Sequence, residues 1–354
     1  MKSKGIRWLG LAAALVAACI AGYLVGTAPP KQVGDDGSRA ALRKLRIGGA
    51  ESYELNLPCL VAIASGFMRE NGIDIAEYTV GAGSNIRNAL IAKDLDFALL
   101  AFVHVPLARS KGEPVKIVLS THEREIFSLI ARKGLEGEVK NVADLKGKKM
   151  GVTKPGSGSW ALGCAYVKKA GLEPEKDVEI VPMGENLESI RTALATGNID
   201  AFPSWEPLTT KATADGTAYP LVSIWRPDEH KKWVGDRAMS MVLATREDVT
   251  QTQPELVLRM VSAMKLGLLY IRTHRPVEIA DLLLGHPKTK GHFSGLTRDE
   301  AAAIIERIHD GFGTGSLSRS GYETEMALYV EAGLLKKAVP YSESCDLQFA
   351  GGSE

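Results

Sequence analysis

The sequence carries almost no net charge: 43 basic and 42 acidic residues among 354 leave a formal charge of +1. No segment is rich in lysine and arginine. A protein that binds nucleic acid usually presents a basic patch to the phosphate backbone. The composition therefore argues against a nucleic-acid partner, and the hydrophobic content of 45% predicts a globular protein.

Cysteine is scarce and is not clustered. The four cysteines are Cys19, Cys59, Cys164 and Cys345, and no two of them have the CxxC spacing of a zinc or redox site. The last three cannot all pair with one another, so no disulfide framework is predicted and we interpret them as structural. We expect no metal site and no cofactor.

Motifs of known enzyme active sites are also missing. The sequence has no P-loop, no GxSxG turn and no GxGxxG dinucleotide motif. The run His122-Glu123-Arg124-Glu125 starts like the HExxH zinc motif, but Ile126 stands where the second histidine is required. We therefore predict no catalytic residue and expect a protein that is not an enzyme.

The N-terminus has the pattern of an export signal. Three basic residues within the first seven precede an uncharged apolar run over residues 8–25. Leu-Val-Ala-Ala before Cys19 resembles a bacterial lipobox, in which cleavage leaves a lipid-modified cysteine. Residues 1–26 could instead stay as an uncleaved membrane anchor or be removed by simple cleavage. All three alternatives place the rest of the chain in the periplasm or at the cell surface, and residues 27–44 are predicted to form a flexible tether.

Beyond the tether, the chain repeats one pattern at a fixed offset. Ala89 and Ala193 lie in segments with the apolar spacing of a helix, and Asp96 and Asp200 lie in the short apolar strands that follow. Each pair is 104 residues apart. Both copies have the order strand, helix, strand, helix, strand, which predicts two similar lobes.

Short strands that alternate with helices predict parallel sheets. A strand-like run over residues 239–245 is expected to return to the first lobe. We therefore predict an α/β fold of two lobes, each a mainly parallel sheet flanked by helices, with a ligand cleft between them. The predicted first lobe comprises residues 45–135 and 240–340, the second lobe comprises residues 136–239, and residues 341–354 form a loose C-terminal tail.

Five short motifs occur in the order found in one family of transport proteins. They are VGAGS at 80–84, LDF at 95–97, NVADLKGKK at 141–149, GSGS at 156–159 and WEP at 205–207. Together they resemble the nitrate/sulfonate/taurine branch of ABC-importer substrate-binding proteins, which have the type II periplasmic-binding-protein fold. That branch is related to the thiamine-pyrimidine-precursor binding family. The resemblance implies a monomer that captures a small solute by hinge closure and delivers it to an ABC permease and its ATPase in the membrane.

Two glycine-rich turns are the main candidates for ligand contact. The turns at residues 81–85 and 156–160 each precede a helix, where free N–H groups and the helix dipole would hold an anionic oxygen. Ser84 or Asn85 is expected to cap the first of these helices. Each turn alone could be an ordinary capped turn, but their matched positions in the repeat would place them opposite each other across the cleft.

Further candidates follow the ends of other strands. Trp205 could wall a pocket, and Glu206 could accept hydrogen bonds from an amine, which favours a zwitterion or a neutral heterocycle over a simple anion. The alternative is a tryptophan packed at the hinge beside a solvated glutamate. Glu51, Ser52 and Tyr53 follow the first strand, and His104 follows another, although a lone histidine beside apolar residues is more often packed than functional. The predicted ligand-binding residues are Ser52, Tyr53, Gly83, Ser84, Asn85, His104, Gly156, Ser157, Ser159, Trp160, Trp205 and Glu206, and the predicted lipidation site is Cys19.

The resemblance and these residues predict an extracytoplasmic binding protein for a small anionic or zwitterionic solute of the nitrate, sulfonate or taurine type. Two alternatives stay open. The same fold could bind a heterocyclic vitamin precursor of the pyrimidine or flavin type, or it could serve as a ligand sensor for a signalling partner. The thiamine-precursor relatives include a pyrimidine synthase with a cysteine- and histidine-rich pattern, which this sequence does not show.

Overall fold

The structure, a computed structural model, describes residues 41–353. The predicted export signal, Cys19 and most of the predicted tether therefore lie outside the described residues. None of the helices in the described part of the chain combines the length and the apolar character that a bilayer span requires.

The first sheet is mixed. Its strands are β1 (Arg43–Ala50), β2 (Ile73–Gly81), β3 (Phe97–Ala101), β4 (Val115–Ser120) and β10 (Met241–Arg246). Their order is β2-β1-β3-β10-β4. The first three are parallel, and β10 runs antiparallel between β3 and β4.

The second sheet has the same topology. Its strands are β5 (Ser128–Arg132), β6 (Lys149–Val152), β7 (Glu179–Pro182), β8 (Ala201–Ser204) and β9 (Ala218–Val222). Their order is β7-β6-β8-β5-β9, with β7, β6 and β8 parallel and β5 antiparallel between β8 and β9. A short parallel pair joins β11 (Leu317–Ser318) to β12 (Gly352–Ser353).

The two sheets exchange strands through the segments that connect them. The strand β5 follows β4 in the chain but pairs in the second sheet, and β10 follows β9 but pairs in the first sheet. We call each sheet with the helices packed on it a lobe, so the chain crosses between lobes over residues 121–127 and 223–240. The return of β10 was predicted, whereas a first lobe that extends to residue 135 would include β5, which pairs elsewhere.

Asp96 and Asp200 show how the two copies use the same contact. The backbone N–H of Arg46 donates to Asp96 Oδ2 at 2.8 Å, and the backbone N–H of Lys149 donates to Asp200 Oδ2 at 2.9 Å. In return, the N–H of each aspartate donates to the carbonyl of the same partner, at 2.8 and 2.7 Å. Each aspartate therefore fixes the third strand of its copy against the first.

The helices lie around these sheets, and one of them is shorter than predicted. The apolar spacing predicts a single helix through Gly66, but Gly66 has a φ of +84°, in the left-handed region that favours glycine, and the helix breaks there. The helices are α1 (Tyr53–Ala64), α2 (Phe67–Glu70), α3 (Gly83–Ile91), α4 (His104–Arg109), α5 (Gly158–Lys169), α6 (Leu187–Thr196), α7 (Leu208–Ala214), α8 (Pro227–Trp233), α9 (Glu247–Thr252), α10 (Pro254–Thr273), α11 (Pro276–Gly285), α12 (Arg298–Ile308), α13 (Arg319–Glu331), α14 (Tyr341–Ser344) and α15 (Leu347–Ala350). Short 3-10 helices cover Val142–Leu145, Lys290–Phe293 and His309–Gly311.

Residues 341–353 pack against the first lobe. Lys116 Nζ, from β4, donates to the carbonyls of Ser342 and Glu343 at 3.1 and 2.9 Å. Cys345 is buried. The expectation of a loose tail is therefore wrong, because this segment buries apolar side chains and satisfies an otherwise buried ammonium group.

Candidate functional site

A cavity lies where the two lobes meet, at the carboxyl ends of their strands. First-lobe residues that end or follow β1, β2 and β3 line one side of it, and second-lobe residues that follow β6 and β8 line the other. Ligands of open α/β sheets bind at such strand ends. The lining residues are Ala50, Glu51, Ser52, Leu55, Gly81, Ala82, Gly83, Ala101, His104, Ile126, Phe127, Thr153, Ser157, Gly158, Ser159, Glu185, Trp205 and Met241.

Three helices of nine residues or more begin at this cavity. They are α1, capped by Ser52, α3, which begins at Gly83, and α5, capped by Ser157. The first N–H groups of a helix lack an intrahelical acceptor and carry partial positive charge. Both lobes therefore supply a positive potential to the cavity without a basic side chain. The predicted residues that line the cavity are Ser52, Gly83, His104, Ser157, Ser159 and Trp205.

The start of α3 differs from its prediction. Its N-cap is Ala82, which has no capping side chain, so the expected cap at Ser84 or Asn85 is wrong. Ser84 is buried, and its hydroxyl has no hydrogen-bond partner among the described residues. The side-chain oxygen of Asn85 accepts a hydrogen bond from Lys154 Nζ at 2.7 Å and so links the two lobes.

His104 lies directly behind the turn of α3. It is 1% exposed, and a Cβ on Gly83 would overlap its ring, so only glycine fits there without a shift. Burial, followed by the positive charges of Arg87 and Lys154, lowers the pKa of His104 to about 3. The ring is therefore neutral near pH 7, and its Nδ1 has no partner among the described residues.

The second-lobe turn is held by a chain of hydroxyl groups. Ser157 Oγ accepts from the N–H of Trp160 at 3.2 Å and lies 3.1 Å from Ser159 Oγ. Ser159 Oγ accepts in turn from the N–H of Thr153 at 3.1 Å. These contacts orient Ser157 and Ser159 at the cavity wall, where their hydroxyls are available as further hydrogen-bond groups.

Trp205 forms an aromatic wall together with Phe127. Their ring centroids are 5.8 Å apart in an edge-to-face arrangement. Trp205 is 5% exposed, and its indole N–H has no acceptor among the described residues. A buried donor without an acceptor is costly, and this one belongs to a residue that lines the cavity.

Two carboxylates, Glu51 and Glu185, line the cavity from opposite lobes. Within residues 41–353, no lysine or arginine lines it. Burial, followed by the negative charge of Glu185, raises the pKa of Glu51. Glu51 follows the end of β1, where polar groups are expected to meet a ligand. Glu185 was not predicted, because it lies in a loop that has no motif.

Glu206 is placed beside a neighbouring cavity that shares Ile126 with the first. It is 2% exposed and accepts from Arg307 at 2.9 Å and from the N–H of Thr210 at 3.1 Å. Its own N–H donates to Glu54 Oε1 at 2.7 Å. Burial, followed by the charge of Glu206, raises the pKa of Glu54 to about 8, so Glu54 is mainly protonated near pH 7. Both Glu206 oxygens therefore already have protein partners.

The other predicted residues lie next to the cavity. Tyr53 lines an adjoining groove and packs on Phe293, with ring centroids 4.9 Å apart. Burial and the charge of Glu51 raise the pKa of Tyr53 to about 12, so its hydroxyl keeps its proton. Gly156 has a φ of +79° in the turn before α5, and Trp160 is half-buried in the first turn of that helix.

Metal ligation has no support in the described part of the chain. No three His, Cys, Asp or Glu side chains between residues 41 and 353 come together in a way that could hold a metal ion. Cys59, Cys164 and Cys345 are buried, and none of them forms a disulfide there. The chemistry of the cavity is therefore that of helix N-termini, hydroxyls, aromatic rings and two carboxylates.

A sequence profile described as NMT1/THI5 like matches residues 56–278, which is more than half of the chain. The chain belongs to the NMT1/THI5-like family. The matched residues include the cavity-lining positions from Gly81 to Met241, so the NMT1/THI5-like region contains most of the site. The family relationship that the sequence motifs predict is confirmed.

Proteins that are similar to this NMT1/THI5-like protein are named for different functions. YtlA of Bacillus subtilis, named as a binding protein, is 20% identical over 352 residues, 97% of each chain. The 4-amino-5-hydroxymethyl-2-methylpyrimidine phosphate synthase THI13 of Saccharomyces cerevisiae is 28% identical over 146 residues, 41% of each chain. The structure of the alkanesulfonate-binding protein SsuA of Xanthomonas axonopodis pv. citri, bound to MOPS, has a TM-score of 0.66 and 20% identity and covers 87% of this chain and 99% of SsuA. The predicted two-lobed periplasmic-binding-protein fold is confirmed.

Proposed function

We propose that this protein is the extracytoplasmic solute-binding component of an ABC importer and captures a small anionic or zwitterionic solute by closure of its two lobes. The carrying observation is the convergence of the N-termini of α3 and α5, one from each lobe, on one cavity. Helix N-termini bind anionic oxygens through their N–H groups and dipoles. Because both lobes line the cavity, a solute bound there stabilises the closed arrangement.

The size of the cavity supports a small solute. The volume open to the centres of water-sized atoms is about 50 Å³. A single water molecule needs roughly 10–15 Å³ of such volume, so the cavity has room for only a few water-sized groups. This space suits a short acid better than a peptide or an oligosaccharide. The shared fold of SsuA, which is named for alkanesulfonate binding, supports a sulfonate-like acid group.

We expect the purified full-length protein to bind one acidic solute per chain without turnover. Scanning calorimetry with taurine, ethanesulfonate and nitrate should raise Tm with at least one of them, because a ligand of the folded state adds about 2.7 kcal/mol at a concentration of 100 Kd. Titration calorimetry then gives the stoichiometry, and chromatography of the recovered solute tests for turnover. If none of the acidic solutes shifts the Tm, the proposal is contradicted.

Two glycine substitutions connect such binding to the cavity. Gly83→Ala should weaken binding at least tenfold, because its Cβ would displace the buried ring of His104 at the cavity wall. Gly137→Ala is the matched control, since a Cβ there meets nothing within 4 Å. Equal affinities of the two variants would place the binding site elsewhere.

A heterocyclic precursor is the second candidate solute. The aromatic wall of Trp205 and Phe127 supports it, because flat rings pack well on aromatic side chains. The yeast relative is named for a pyrimidine phosphate, which agrees with this chemistry. A Tm rise with 4-amino-5-hydroxymethyl-2-methylpyrimidine alone, and with none of the acids, would favour this candidate.

We also propose that the protein acts as a monomer tethered to the outer face of a membrane, where it meets the permease and ATPase. The export pattern of residues 1–26, with Cys19 at its lipobox, supports the tether. Cys19→Ala should move the protein from the membrane fraction to the soluble fraction of cells and abolish incorporation of labelled fatty acid. An unchanged distribution would favour an uncleaved anchor.

A further inference from the structure

The cavity contains two carboxylate side chains, whose negative charge does not favour the binding of an acid. Glu51 lies between β1 and the cap of α1 in the first lobe, and Glu185 lies between β7 and α6 in the second. Both line the cavity. The closed arrangement of the lobes therefore places two carboxylates, one from each lobe, on the same small space.

No protein cation neutralises this pair in the described structure. Among residues 41–353, neither Glu51 nor Glu185 forms an ion pair or a side-chain hydrogen bond. Lys154 lies near the cavity, but its ammonium group donates to Asn85. His104, which also lines the cavity, is neutral, as its low pKa requires. Two half-buried like charges that share a low-polarity space repel each other.

We infer that the solute carries a protonated nitrogen which binds between Glu51 and Glu185, while its acidic group lies at the N-termini of α3 and α5. This inference rests on the proposed function and narrows its solute to a zwitterion. The two carboxylates are then specificity-determining residues. An anion without the nitrogen leaves them unneutralised, so the site rejects it by repulsion and by an unmet charge.

The same pair couples the solute to lobe closure. Without a cation, closure brings two negative charges together and is opposed. A protonated amine between them turns this repulsion into two attractive contacts, one with each lobe. Hinge closure requires a solute that binds the closed state more tightly than the open state. The cationic end of the solute supplies most of this difference in affinity.

The test uses pairs of solutes that differ only in the amine. Taurine is compared with ethanesulfonate, and β-alanine with propionate, by titration calorimetry on the full-length protein. We expect the amine-bearing member to bind at least tenfold more tightly than its partner. Glu51→Gln and Glu185→Gln should each weaken the amine-bearing member about tenfold, the size of one charge-assisted contact that is partly exposed to water, and leave the partner unchanged or tighter.

Control measurements keep the outcomes separable. Glu179→Gln changes an exposed carboxylate of the second lobe, which also holds Glu185, and should leave every affinity unchanged. The Tm of the unliganded Glu51→Gln and Glu185→Gln proteins should be equal to that of the wild type or higher, because one repulsive charge is removed. If the amine-free acids bind as tightly as the zwitterions and the glutamine variants change nothing, the inference is overturned while the proposed function stands. If no acid of either kind binds, the proposed function fails, and the inference fails with it.

Discussion

Replacing Arg307 by alanine is expected to lower the free energy of unfolding by about 3 kcal/mol. Arg307, on α12, donates to Glu206 at 2.9 Å and to Thr210 Oγ1 at 2.6 Å, and its guanidinium lies 4.9 Å above the ring of Trp225. Its removal leaves the 2% exposed Glu206 without its ion partner. Breaking a buried pair in this way typically costs about 3–5 kcal/mol, and the 30% exposure of the Arg307 side chain favours the lower end.

Urea denaturation of the two proteins measures this loss. Arg298→Ala is the matched control on the same helix, because Arg298 pairs with Asp281 in an ion pair whose two side chains are both about half exposed. Exposed pairs contribute about 0–1 kcal/mol, so Arg298→Ala should change stability little. A second change, Glu206→Gln, should recover part of the loss in Arg307→Ala by removing the isolated charge. Equal effects of the two arginine substitutions would show that the Glu206 pair does not stabilise the fold.

The stability contributed by two buried carboxyl groups should also fall as the pH rises from about 4.5 to 8. Glu125, in the first crossing segment, is 3% exposed, and Glu325, on α13, is fully buried. Neither oxygen of Glu325 has a partner among the described residues. Burial raises the pKa of Glu125 to about 7, and burial, followed by the charge of Glu125, raises the pKa of Glu325 well above its usual value. Both groups therefore hold protons in the folded protein at a pH where the unfolded chain has lost them.

The direction of this pH dependence follows from the linkage between proton binding and folding. A carboxyl group whose pKa is higher in the folded than in the unfolded chain contributes stability that is complete below the unfolded value of 4.5. That contribution is lost as the pH rises through the folded value, at about 1.4 kcal/mol for each unit of difference. Glu325→Gln removes one such group, so the stability of the variant relative to that of the wild type should rise between pH 5 and 8.

Scanning calorimetry across this pH range compares the two curves. Glu323→Gln, an exposed residue on the same helix, is the control and should keep the wild-type slope. The Glu325→Gln curve should retain some slope, because Glu125 and the buried Glu54 still titrate. Parallel curves for wild type and Glu325→Gln would show that Glu325 does not hold a proton in the folded protein.

Contacts close in sequence, and contacts repeated in both copies, were predictable. The offset between Asp96 and Asp200 predicts two lobes because each aspartate makes the same local strand contact. Pro254 marks the start of α10 because proline suits the first turn of a helix. The strand-helix turns at Gly83 and Ser157 were predicted because the repeat places both at strand ends.

Contacts between distant parts of the chain were not predictable. Glu206 was expected near the solute, but its partner Arg307 lies 101 residues further along and no local pattern links them. Glu185 lines the cavity from the loop between β7 and α6, and its neighbours in sequence give no sign of this. The cap of α3 was misassigned because both Ser84 and Asn85 are good caps, while the observed cap, Ala82, lies two residues before Ser84 and three before Asn85.

The exchange of β5 and β10 between the sheets has a consequence for the order in which the two sheets can fold during synthesis. Every strand of the second sheet has been synthesised by residue 222, whereas β3 and β4 of the first sheet remain separated by a gap until Met241–Arg246 emerges. A nascent chain can therefore complete its second sheet before its first. The N-terminal part of the protein has to wait, incompletely folded, for a strand encoded more than a hundred residues downstream, which makes its closure a slow, late event.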